Sequence, residues 1–139
     1  MAEAFSNKLV RAAGSVQTST GCTIGITTTN ILGVSTAGLN VGDLVDNQNF
    51  IAGTKIATIG VGSIFADRDS TNTASSPGNS VKFLGVTTAY SSASSVKSII
   101  IGGTFANNTN NQVSLSVVVE DNSTGTDVAL ASKIPVPAG

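Results

Sequence analysis

The sequence predicts an all-β protein, either an antiparallel β-sandwich or two small packed β-lobes, preceded by an extended or short-helical N-terminal arm. Three observations carry that reading. The 139 residues include 15 Val, 11 Ile and 17 Thr, side chains stiff at χ1 that pack well on a pleated surface. From Ser15 onward Gly and Asn punctuate the chain at strand-length intervals, and no amphipathic 3.6-residue period survives. Charged residues are only 11% of the chain, against about 25% in an average soluble domain. Ser (18), Thr (17) and Asn (12) supply a neutral polar exterior instead. A chain of this length makes one domain or two small lobes, with enough surface to bury a modest core.

The elements follow in order. Residues 1–14 form the arm, in which Phe5 and Leu9 stand i, i+4 apart and Gly14 could terminate a two-turn helix. Residues 15–89 form a first lobe. Its expected strands are 16–20, 23–29 (Ile24 and Ile26 alternating with threonines), 31–36, 43–46, 55–59, 63–67 and 80–86. Gly21, 38–42, Gly53-Thr54 and Gly60-Val61-Gly62 mark the turns, and 68–79 is a polar loop with a Pro77-Gly78 turn. In 80–86, Val81, Phe83 and Gly85 alternate with Lys82 and Leu84. The Ser-rich stretch 90–95 reads as a linker. Residues 96–139 form a second lobe with strands expected at 96–104, 113–121 and 126–133 and an extended Pro-restricted end. Val113, Leu115, Val117 and Val119 share one face of the middle strand, the clearest half-buried pattern in the chain.

The absences narrow the chemistry. Without His there is no Ser-His-Asp or Cys-His machinery and no imidazole ligand. A single Cys excludes an intrachain disulfide and multi-thiolate metal sites. Seven basic and eight acidic residues are spread along the chain, leaving no basic patch for nucleic acid or an anionic membrane. No segment approaches the run of about 20 apolar residues that spans a bilayer. Residues 1–5 lack the basic and apolar regions of a signal peptide, so the chain is expected to stay in a cytoplasm until lysis.

The remaining chemical candidates have simpler readings. Residues 67–72 (Asp-Arg-Asp-Ser-Thr-Asn) alternate oxygen ligands as a calcium loop does, but lack the sharp-turn Gly and the bidentate Glu. A solvated loop with Asx-turns is the favoured reading. Asp43 with Asp46, and Glu120 with Asp121, are carboxylate pairs of the kind glycosidases use, yet lie at strand ends with no aromatic cleft around them. Cys22 reads as a small buried hydrophobe. Asn107-Asn108-Thr109 and Asn122-Ser123-Thr124 match the glycosylation sequon, as chance allows in so Asn-, Ser- and Thr-rich a chain. Gly60-Val61-Gly62 has no following helix to make it a phosphate loop. No catalytic, cofactor-binding or metal site is assigned, no cofactor is expected, and an enzyme is not.

Residues 34–45 (Val-Ser-Thr-Ala-Gly-Leu-Asn-Val-Gly-Asp-Leu-Val) and 51–59 (Ile-Ala-Gly-Thr-Lys-Ile-Ala-Thr-Ile) resemble a β-module that recurs in bacteriophage structural proteins. The resemblance extends over about residues 30–85. The second lobe, from residues 97–107 through to the closing Ile134-Pro135-Val136-Pro137-Ala138-Gly139, resembles small β-domains of virion proteins, particularly those of marine cyanophages. Residues 2–11 are similar to the N-termini of proteins from the same phages. In such domains the Ile-Pro-x-Pro-Ala-Gly stretch leads into further strands, so the second lobe is expected to continue beyond Gly139.

The resemblance implies a non-enzymatic component of a virion assembled in the host cytoplasm. A capsid decoration or cement role is the leading expectation, docking on the major capsid protein or other virion proteins through strand edges and the arm. Phe5, Leu9, Val10 and Arg11 are the expected contact residues of that arm. The alternative is a neck, tail-fibre or receptor-binding domain that recognises a host surface through loops 68–79 and 107–111. So thinly charged and apolar a chain is expected to self-associate, a cyclic trimer being favoured. Neither nucleic acid nor membrane is an expected partner.

Overall fold

The computed structural model describes residues 8–11, 13–93, 96–100, 102–109, 111–121 and 123–139. Among them there are eight strands and no helix, so the all-β expectation holds. Six strands make one antiparallel sheet: β1 (Ser15–Ile24), β2 (Asn30–Leu32), β3 (Leu44–Asp46), β4 (Ile56–Gly60), β5 (Ser63–Ala66) and β6 (Ser76–Leu84). Their order across the sheet is β3-β6-β1-β2-β5-β4. The other two, β7 (Val113–Val119) and β8 (Val128–Val136), form a separate antiparallel ribbon.

The larger sheet curls until its two edge strands meet. Beyond its pairing with β6, β3 bridges the approach to β4 at Leu44 and Lys55. Val45 N–H donates to the Thr54 carbonyl at 2.9 Å, Ile56 N–H to that of Asp43 at 2.8 Å, and Gly42 N–H to that of Ile56 at 2.9 Å. These bonds occupy polar groups that an open edge would present to other chains, and they give the first lobe the character of a small closed barrel.

Inward positions alternate along the strands as a barrel of this size requires. Ile24, Ile31, Ile56, Ile64, Val81 and Phe83 are all but fully buried, and Val34, Leu39 and Phe50 bring connecting segments into the same core. The alternation expected in 80–86 is seen: Val81 and Phe83 are buried, while Lys82 and Leu84 are half-buried. All the core residues fall between Cys22 and Phe83, with Val16 packed against them. The described residues of the second lobe contribute none.

Several expected boundaries move, each for a local reason. Gly21 does not turn the chain: at φ +75 it sits in a bulge, and β1 runs through it with register shifts against β6 on either side of Cys22. Pro77-Gly78, expected as a loop turn, lies within β6, where Gly78 at φ +76 takes up an irregularity opposite Cys22 and Ile24. The strand expected at 96–104 is not formed among the described residues, none of which pairs with it as a strand; Ile99 is 88% exposed.

Candidate interaction surfaces

The arm residues of the sequence reading are partly brought together. Phe5 lies outside the described residues. Leu9 is 76% exposed, Arg11 is exposed and Val10 half-buried. With Lys8 they line one shallow open depression whose other wall is residues 88–91. Residues 8–11 are not helical. Gly14, at φ +81, ends no helix and instead leads into β1. Its N–H donates to Thr87 Oγ1 at 2.9 Å and its carbonyl accepts from Gly85 N–H at 2.7 Å, which lays the arm beside the chain leaving β6.

The β7–β8 ribbon is the more informative surface. Its register sets Val113 opposite Val136, Leu115 opposite Ile134, Val117 opposite Ala131 and Val119 opposite Val128. Paired residues project to the same side of a sheet, so one face of the ribbon is apolar from end to end. The face expected on the middle strand is therefore present, but among the described residues it is left largely uncovered: Val119, Val128 and Ile134 are exposed and Val113, Leu115 and Val117 only half-buried. A lone two-stranded ribbon is marginal in water. The sequence reading missed that the partner strand doubles this face, because bulges between Leu115 and Val118 shift the register of β8.

Two polar knots hold the ribbon's ends. At the open end, Asn107 Oδ1 accepts from Thr109 N–H at 2.9 Å and from Thr109 Oγ1 at 2.8 Å. Asn107 Nδ2 faces the carbonyls of Asn111 (2.8 Å), Val136 (3.2 Å) and Pro137 (2.9 Å), three acceptors for two hydrogens. The sequon amide is thus committed to structure. The N-x-T spacing that matches glycosylation also makes an Asx-turn, and that was the available signal. Asn111 Nδ2 then donates to Asp46 Oδ1 at 3.1 Å, linking this knot to β3. At the turn between β7 and β8, Asp121 accepts from Ser123 N–H and Oγ and from Thr124 Oγ1 at 2.9, 2.6 and 2.8 Å. The Ser123 and Thr124 hydroxyls, helped by the Ser123 amide, lower its pKa to about 2.

The other chemical candidates are engaged in holding the fold. Asp43 is buried and accepts from Asn40 N–H at 2.8 Å. Asp67 Oδ1 accepts from Lys55 N–H at 2.8 Å. Within the expected solvated loop, Ser70 is buried, donating to the Gly25 carbonyl at 2.9 Å and accepting from Thr28 N–H at 3.2 Å. Cys22 is fully buried, its Sγ 3.6 Å from the carbonyls of Ser19 and Gly33, and burial raises its pKa. Among the described residues, no three His, Cys, Asp or Glu side chains group as metal ligands would.

No family model matches the chain, and no match is found among curated proteins or among solved structures.

Proposed function

We propose that this chain is a non-enzymatic structural component of a phage particle, self-associating and docking on neighbouring virion proteins as a capsid decoration or cement. The observation that carries the reading is the β7–β8 ribbon: an apolar face running its whole length, outside the core of the chain that bears it. Exposed apolar surface of this extent marks an interaction site. The resemblance of residues 30–85 and 97–139 to phage virion modules supplies the setting, and the low share of charged residues, 11%, suits packing against other proteins.

The closed edge of the barrel changes where docking by strand edges is expected. β3 is bonded to the approach to β4, whereas among the described residues each strand of the ribbon has only the other as its partner, so the ribbon's outer edges are offered for docking. The arm supplies a second contact through Leu9, Val10 and Arg11. The receptor-binding alternative receives less support, since Ser70 and Asn72 of loop 68–79 and Asn107 of loop 107–111 are drawn into hydrogen bonds with the fold.

Deleting residues 1–13 tests the arm. The β-fold should survive, because residues 8–11 give no side chain to the core, while attachment to particles lacking this protein should be lost. Full attachment by the shortened chain would remove the arm from the account.

A further inference from the structure

We propose that Lys82 and Asn111 join in an isopeptide bond, with Asp46 carrying the protons, so that the chain ties its second lobe covalently to its barrel. The proposal stands apart from the particle reading and does not depend on it.

Strands β3 and β6 place the first two groups. Asp46 stands opposite Lys82 in their ladder, and Val45 opposite Phe83. Val45 and Phe83 are buried in the core, so Asp46 and Lys82 project to the outer side of the sheet. Directly opposed residues have Cβ atoms about 5 Å apart. Leu44 and Leu84 form the next pair on that side, and all four residues are half-buried.

The third group comes from the second lobe. Asn111 Nδ2 donates to Asp46 Oδ1 at 3.1 Å. The Asn111 backbone is fixed separately, its carbonyl accepting from Asn107 Nδ2 at 2.8 Å and its N–H donating to Thr109 Oγ1 at 3.4 Å. The Asn107 knot therefore holds the residue in place while its side-chain amide meets the barrel.

A cross-strand ion pair would need Asp46 and Lys82 alone. Asn111 brings a carboxamide to the same carboxylate, which completes the parts of an acyl transfer. There is an amine, an acyl carbon with a leaving nitrogen, and an acid–base group bonded to that nitrogen. The flexible four-carbon stem of Lys82 lets Nζ pass from Asp46 to Asn111 Cγ. Holding both reactants on one carboxylate raises their effective concentration far above that of free groups.

The step balances without oxidant, metal or cofactor. Asp46 takes a proton from the Lys82 ammonium, and the freed Nζ lone pair attacks Asn111 Cγ. The Nζ–Cγ bond forms and the Cγ–Nδ2 bond breaks. Nζ gives up two protons in all, Asp46 passes them in turn to Nδ2, and the nitrogen leaves as ammonium. Asp46 ends as the carboxylate it began as. The new bond closes the chain from residue 82 to residue 111 around the Ser-rich linker, which restricts the unfolded chain as other cross-links do.

The intact mass of the full chain, followed over days at neutral pH, tests this. The chain should become lighter than its sequence by one ammonia. Trypsin does not cleave after an acylated lysine, so residues 69–97 and 98–133 should then appear as one branched peptide. Lys82→Arg, which keeps the charge opposite Asp46, and Asn111→Ala should each retain the full mass of their sequence. Asp46→Asn should slow the loss by about a hundredfold or more, with buried Cys22 still unreactive to thiol reagents as proof of an intact barrel. An unchanged mass in the folded wild-type chain would overturn the proposal. So would loss of ammonia without the branched peptide, which marks a succinimide at an asparagine. Loss at an unaltered rate in Asp46→Asn would overturn the role given to Asp46.

Discussion

Gly85 shows how one missing side chain fixes the join between barrel and arm. A methyl group at this position would overlap the Asp43 carboxylate, and that carboxylate is buried and held by Asn40 N–H, so it has nowhere to go. Gly85→Ala should therefore destabilise the first lobe by about 1–3 kcal/mol, measured as a lower denaturation midpoint. Asn107 acts similarly at the other end of the chain, through bonds rather than space. Asn107→Ala removes the acceptor of Thr109 and the donor to the β8 carbonyls. It should cost about 1–3 kcal/mol of local stability, seen as faster exchange of the Thr109 amide. Asn107→Asp should keep that amide protected, because Oδ1 remains.

The elements divide into those decided by local pattern and those decided by partners. β5 and β6 and the 38–42 turn were legible because alternation and Gly positions agree with the observed burial. β1 was read as two strands because a glycine bulge and a glycine turn look alike in sequence; only the partner strand tells them apart. The segment 96–104 was read as a strand on β-propensity, and propensity without a partner does not make a strand. The turn of the ribbon has a pH signature. The Asp121 pKa lies at about 2, below its ordinary 3.8. A lowered carboxyl pKa means the ionised form favours the folded turn. That contribution is present above about pH 4, fades as pH falls towards 2 and is gone below it. The protection of the Ser123 amide relative to its intrinsic exchange rate should fall as pH drops through that window, and Asp121→Asn should abolish that change.

At the scale of the whole molecule, fold class was legible and closure was not. Composition and turn spacing point to small β-lobes, but the bonds between β3 and the approach to β4 join residues whose closeness depends on four other strands. The candidate surface was half legible: β7 showed its apolar face, while its doubling by β8 and the Asn107 knot needed the register. What results is a barrel whose edge strands meet and a ribbon whose apolar face is left largely exposed among the described residues. The most direct test is the number of copies in purified particles relative to the major capsid protein, by quantitative mass spectrometry. A decoration or cement role predicts hundreds per particle. A dozen or so would contradict that role and move the chain to the neck or tail, and none at all would contradict the particle assignment itself.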